Sequence, residues 1–123
     1  MRYLEELKKL KLPKNKYAVF GSGPLAIRGL RENKDIDIIV KKDLWNELEK
    51  KYKKNTINSI KVGNIEFYRD WNPWIKELDL LINDSNIING IRYVKIKYVL
   101  EWKEKRNEEK DKKDIKLIKS VLK

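Results

Sequence analysis

The sequence predicts a single small domain of the α/β (α+β) class, a mixed sheet flanked by helices, spanning residues 1–123. Three observations lead there. A chain of 123 residues suits one domain that buries roughly two-thirds of its unfolded surface. The hydrophobic pattern changes period several times, from short apolar runs to helical spacing and back. No internal repeat, linker or low-complexity segment divides the chain, apart from a charge-dense joint at residues 103–113.

Taken in order, Leu4, Leu7 and Leu10 fit one face of a short helix that stops near Pro13. Tyr17-Ala18-Val19-Phe20 is an apolar run that reads as a buried strand. Pro24 suits the first turn of a helix reaching about Leu30. Residues 36–40 form a second buried strand, and Asp43 is placed to cap a helix with Leu44, Leu48 and Tyr52 on one face. Residues 57–62 and 65–68 flank Gly63-Asn64, a two-residue loop that closes a hairpin. Trp71-Asn72-Pro73-Trp74 breaks the pattern as a loop. Residues 75–82 fit either helix or strand, and 87–94 read as extended around Gly90. Helical spacing returns from about Lys95, with Tyr98, Val99 and Trp102 on one face. A second helix follows, carrying Ile115, Ile118, Val121 and Leu122.

Composition narrows the chemistry. The chain has no cysteine and no histidine, which excludes disulfides, thiolate zinc sites, cysteine nucleophiles and Ser-His triads. Catalysis would rely on carboxylates, lysines, hydroxyls and metal ions that prefer oxygen, chiefly magnesium or manganese. A net charge of +11 favours a polyanionic partner, a nucleotide or a nucleic acid. AT-rich coding gives the same lysine, isoleucine and asparagine bias, and lysines on helix faces read first as solvated surface. No apolar run approaches the roughly 20 residues of a membrane span, and residues 1–11 lack the apolar centre of a signal peptide. The expectation is a soluble cytoplasmic protein with no membrane partner.

The functional signal lies in residues 20–40. Gly21 and Ser22 leave a buried strand and enter a helix, where unpaired backbone amides and the helix dipole suit a phosphate and the Ser22 hydroxyl adds a donor. After twelve intervening residues, Asp35 and Asp37 stand two apart on a strand and therefore share a face, held by an apolar Ile36 and by Ile38-Ile39-Val40. Clustered carboxylates repel unless a cation lies between them, and divalent metals bridging a triphosphate meet that need.

Phe20-Gly21-Ser22 followed by Asp35-Ile36-Asp37-Ile38 resembles the signature of the nucleotidyltransferase superfamily that includes DNA polymerase β, and in particular its minimal members. The resemblance implies a nucleotidyltransferase-like core with C-terminal helices. It also implies two magnesium (or manganese) ions on Asp35 and Asp37, with an NTP as substrate and a third carboxylate on a neighbouring strand. Glu66 is the best match for that acid, in metal binding and in activating the acceptor. Family members usually carry aspartate there, and Asp70 and Asp79 remain alternatives, as does a solvated hairpin role for Glu66. Lys103, Arg106, Lys110, Asp111 and Asp114 resemble the Lys, Arg and Asp-x-x-Asp helical motif of abortive-infection and toxin-type transferases, which implies that Lys103 and Arg106 lie near the nucleotide. Read locally, Lys110 and Asp114 make an exposed pair worth a few tenths of a kcal/mol, roughly, and Asp111 a helix cap. Arg28, with Arg31, is a further candidate for triphosphate contact, against the plain reading of helix-end cations.

Three rival readings stand beside this one. Gly21-Ser22-Gly23-Pro24-Leu25-Ala26 also satisfies a G-x-G-x-x-A dinucleotide turn, although the next strand follows too soon and Asp35 and Asp37 go unexplained. A basic nucleic-acid- or partner-binding module retaining the transferase shell is the second, with Trp45, Trp71, Trp74 and Trp102 able to stack on bases or to fill the core. The third is one half of a toxin-antitoxin pair. The reading adopted is a metal-dependent enzyme that moves an NMP group from an NTP to a hydroxyl of RNA, protein or a small molecule.

Overall fold

The computed structural model describes residues 1–122. Two strands set the centre, β1 (Tyr17–Phe20) and β2 (Ile36–Val40), paired antiparallel with Phe20 opposite Asp37. The Gly63-Asn64 turn joins β4 (Ser59–Val62) to β5 (Ile65–Tyr68), as the sequence predicts, with Gly63 at φ 61°. β5 then runs parallel to β2, and Glu66 faces Asp37 in register. On the other side β7 (Ile91–Val94) runs parallel to β1, and β6 (Ser85–Ile88) closes that edge. With β3 (Lys54–Thr56) at the far edge, the order is β3-β4-β5-β2-β1-β7-β6, one mixed sheet of seven strands among the described residues.

Helices cover both faces, which explains why the central strands read as continuous apolar runs rather than as alternation. Tyr17, Val19, Ile36, Ile38, Ile65 and Phe67 point to the layer of α1 (Leu4–Lys9) and α3 (Lys42–Lys51), whose Leu7, Leu44, Trp45 and Leu48 are buried there. Ala18, Phe20, Ile39 and Val94 point the other way. They meet Leu25 of α2 (Gly23–Ala26), Leu78 and Leu81 of α4 (Leu78–Asn83), Val99 and Trp102 of α5 (Ile96–Arg106) and Ile118 of α6 (Lys112–Val121). Asp37 shares this second face by strand alternation, so it interrupts an otherwise apolar surface.

Several elements differ from the sequence reading. The helix after Pro24 ends at Ala26, and Gly29 at φ 74° turns the chain well before the next strand. Asp43 sits inside the first turn of α3, where it favours the positive helix end, while Lys41 occupies the capping position. Residues 87–94 contain a turn rather than one extended run. Asn89 and Gly90 both take positive φ between the paired Ile88 and Ile91, the Asn-Gly signal of a tight hairpin. The ambiguous segment 75–82 resolves into α4. In α6 the buried positions are Asp114 and Ile118, whereas Val121 and Leu122 are each 46% exposed. A salt-bridged aspartate thus replaces an apolar anchor on that helix.

Candidate active site

The sheet brings the phosphate turn and both aspartates to one place. Gly21 leaves β1 at φ 60°, and a Cβ there would lie 2.8 Å from Oδ2 of Asp37. Any larger residue would be strained in its backbone and would press on that carboxylate. Ser22 follows, with its hydroxyl not used to cap α2. Because α2 is only four residues long, the helix dipole contributes less than the sequence suggests, and the turn geometry and Ser22 carry the site.

A cleft of about 820 Å³ opens in front of these groups. Gly21, Ser22, Asp35 and Asp37 form one wall, and Trp102, Lys103 and Arg106 of α5 form another. Arg31, Lys34, Lys110 and Lys113 add cations at its boundary, together with Asp111 and Asp114. Six of the eight predicted site residues therefore line this cleft: Gly21, Ser22, Asp35, Asp37, Lys103 and Arg106.

Arg28 does not join them. Its guanidinium donates to the Pro24 carbonyl at 2.6 Å and to Oδ1 of Asn86 at 2.9 Å, tying α2 to β6. The cation that reaches the cleft from this region is Arg31.

Burial and the charges of Asp35 and Glu66 push the Asp37 carboxyl up to about 7, opposed by Lys61. Such a shift marks a carboxylate held without a cation close enough to satisfy it. Glu66 is the register neighbour of Asp37 across the β2–β5 pair. Burial raises its pKa, but hydrogen bonds from Ser59 Oγ (2.6 Å) and Asn55 Nδ2 (2.7 Å) to Oε2 outweigh it and leave the group below its ordinary value. Tyr68 lies beside both acids, and burial together with their charges raises its hydroxyl, so it stays protonated.

The expected three-acid metal cage is not reproduced as such. Among the described residues no three acidic side chains converge to hold a metal between them, and one Glu66 oxygen is committed to Ser59 and Asn55. Asp35 and Asp37 remain suited to a hard cation, since magnesium is commonly held by one or two carboxylates with phosphate and water completing the shell. Of the alternatives for the third acid, Asp70 borders a recess that also includes Asp37. Asp79 belongs to a different hollow, beside Val40, Trp45 and Arg69 at the other end of β2.

The C-terminal cluster forms a closed ionic network rather than free cations. Asp111 receives Arg106 through Nε at 2.9 Å and through a second short bond from NH2, and Lys103 at 3.3 Å. Asp114 receives Lys103 at 3.1 Å and Arg31 at 2.7 Å. Lys103, Asp111 and Asp114 are all buried. The expected Lys110–Asp114 pair is absent from the ion pairs of the described residues, and Lys110 pairs with Glu108 at 3.3 Å. Asp111 stands at the N-terminus of α6 without a side-chain cap bond to it, and instead accepts the Glu108 backbone N–H at 3.1 Å in a reciprocal box over the preceding 3-10 turn. Burial raises the Asp111 carboxyl, but the Arg106 and Glu108 hydrogen bonds and the nearby Lys103 prevail and bring it down to about 2. Lys103 and Arg106 also stack over the Trp102 ring, at 4.6 and 4.4 Å from its centroid.

The sequence names Trp71 and Trp102 as core or base-stacking residues, but not their grouping with Phe20 and Tyr68 beside Asp37. Phe20, Tyr68, Trp71 and Trp102 pack with ring centroids 4.7–5.1 Å apart. The two-residue spacing of Glu66 and Tyr68 on one strand face was the available signal for part of it.

No protein-family model, curated protein or solved structure matches the chain. Among the described residues no helix is long and apolar enough to cross a membrane.

Proposed function

We propose that the chain is a small metal-dependent nucleotidyltransferase of the polymerase β-like kind, transferring an NMP group from an NTP to an acceptor hydroxyl. The observation that carries this reading is the Asp35–Asp37 pair beside the Gly21-Ser22 turn in one cleft, with no ion pair to Asp37 among the described residues. The cleft has the volume of a nucleotide-sized pocket.

Magnesium or manganese on Asp35 and Asp37 would supply neutralisation of the triphosphate charge and of the charge that develops on the leaving group. Gly21 lets the chain approach the phosphates closely, and Ser22 donates its hydroxyl to them. Arg31, Lys103 and Arg106, held rigid by Asp111 and Asp114, leave the opposite wall with a small net positive charge in fixed positions. The acceptor oxygen attacks the α-phosphorus, a new P–O bond forms, and the bond to the bridging oxygen of pyrophosphate breaks. The acceptor proton passes to the nearby Glu66 carboxylate and on to solvent.

The test is transfer of α-phosphate label from each of the four common NTPs onto RNA, protein and small-molecule fractions, with magnesium or manganese. Label is expected with the wild-type protein and not with Asp37→Asn. Equal label with both, or none with either alongside no NTP binding, would remove the enzyme reading.

A further inference from the structure

A second hollow, of about 330 Å³, adjoins the larger cleft at Asp37. The two cavities share Asp37, Trp102 and Arg106. In-line displacement at phosphorus needs the nucleophile to arrive opposite the departing pyrophosphate. With the triphosphate in the larger cleft, the smaller recess, which shares Asp37 with it, leaves a place for the attacking hydroxyl.

Its walls define what fits. Tyr68, Trp71 and Trp74 supply aromatic surface, and the contacts of Trp71 with Phe20, Tyr68 and Trp102 fix that surface in place. Asp37 and Asp70 supply negative charge, and neither has an ion pair among the described residues. Arg106, the one cation among the described residues that line the recess, is already bound to Asp111. Aromatic faces joined to unpaired carboxylates attract cations, ammonium groups above all. The same charge opposes a phosphate-bearing acceptor. The volume admits a small molecule and not a folded chain.

We infer that this recess, lined by Tyr68, Asp70, Trp71 and Trp74 beside Asp37, is the acceptor site, and that it takes a compact alcohol carrying an ammonium group. The inference rests on the nucleotidyl-transfer reading for the fate of the bound alcohol. In that step the alcohol oxygen bonds to the α-phosphorus, pyrophosphate leaves, and the hydroxyl proton goes to solvent. The bound ammonium group stays unchanged, held against the Trp74 and Trp71 rings with Asp70 as counter-ion.

Binding is measured first without NTP or metal, by quenching of tryptophan fluorescence. The probes are choline, its uncharged carbon isostere neohexanol, phosphocholine and a short oligoribonucleotide. Choline is expected to bind about tenfold more tightly than neohexanol, as a cation–π contact with a counter-ion allows, and phosphocholine more weakly than choline. Asp70→Asn and Trp74→Ala should each weaken choline binding by about tenfold, and Trp74→Ala should leave NTP affinity unchanged. Equal binding of choline and neohexanol, tighter binding of the oligoribonucleotide, or choline binding unaffected by Asp70→Asn would overturn the proposal. Label transfer then separates the two readings. Choline binding without any transfer retains the cation site and sinks the enzyme, whereas transfer to the oligoribonucleotide without choline binding retains the enzyme and sinks this acceptor.

Discussion

Two pairs of aspartates line the same cleft and meet opposite electrostatic fates. Asp111 and Asp114 are buried, yet each is matched by cations from Arg31, Lys103 and Arg106, and Asp111 is held down to about 2. Asp35 and Asp37 leave more surface to solvent, yet burial of the Asp37 carboxyl, joined by the charges of Asp35 and Glu66 and opposed by Lys61, pushes it up to about 7. Burial alone therefore does not decide the state of a carboxylate here. What decides it is whether the fold supplies the partner. One pair is satisfied from within and fastens α5 and α6 to the loop after α2. The other is left short of positive charge, a stability cost that the proposed cation site would account for.

The comparison breaks most visibly in activity. Asp37→Asn is expected to lower transfer by roughly a thousandfold or more, about 4 kcal/mol of barrier, in a single-turnover assay with the fold intact by circular dichroism. Next in size is Asp111→Ala, which leaves Lys103 and Arg106 without their shared partner in a site where Lys103 is 5% exposed. A loss of about 3 kcal/mol in denaturant unfolding is expected. Because the folded pKa of Asp111 lies below its ordinary value of 3.8, its contribution is present above that pH and fades as pH falls through about 2. The stability gap between wild type and Asp111→Ala should therefore narrow over that acid range.

Asp37 has the opposite sign. Its folded pKa lies above the ordinary 3.8, so its favourable contribution is complete below that pH and is lost as pH rises through about 7. Asparagine cannot ionise, so Asp37→Asn should be more stable than wild type at pH near 8, the gain disappearing toward pH 4. Thermal melts of the metal-free proteins at the two pH values measure it. A smaller and purely structural effect belongs to Arg28→Ala. Losing the bonds to Pro24 and Asn86 should cost about 1 kcal/mol without changing nucleotide affinity by calorimetry.

The centre of the fold was legible because its signals are local. β1 and β2 are short apolar runs bounded by polar or glycine residues, and their ends match the sequence reading. The Gly63-Asn64 turn fixed the β4–β5 register, which places Glu66 opposite Asp37. The shared cleft of Gly21, Ser22, Asp35 and Asp37 followed from spacing alone. What spacing does not encode is partner choice between distant segments. Arg28 and Arg31 lie three positions apart, yet one turns to Asn86 and the other to Asp114, 83 residues away. The edge strand β3 carries Lys54, Asn55 and Thr56, all exposed, so no hydrophobic alternation announced it. The Asn89-Gly90 hairpin did carry its signal, in two adjacent residues that accept positive φ.

The most direct test of the contrast between the two acid pairs is calorimetric titration of manganese with ATP into wild type, Asp37→Asn and Asp111→Asn. Metal-dependent binding by wild type and by Asp111→Asn, abolished in Asp37→Asn, is the predicted result. Equal binding by wild type and Asp37→Asn would contradict the assignment of the unpaired carboxylates as the cation site.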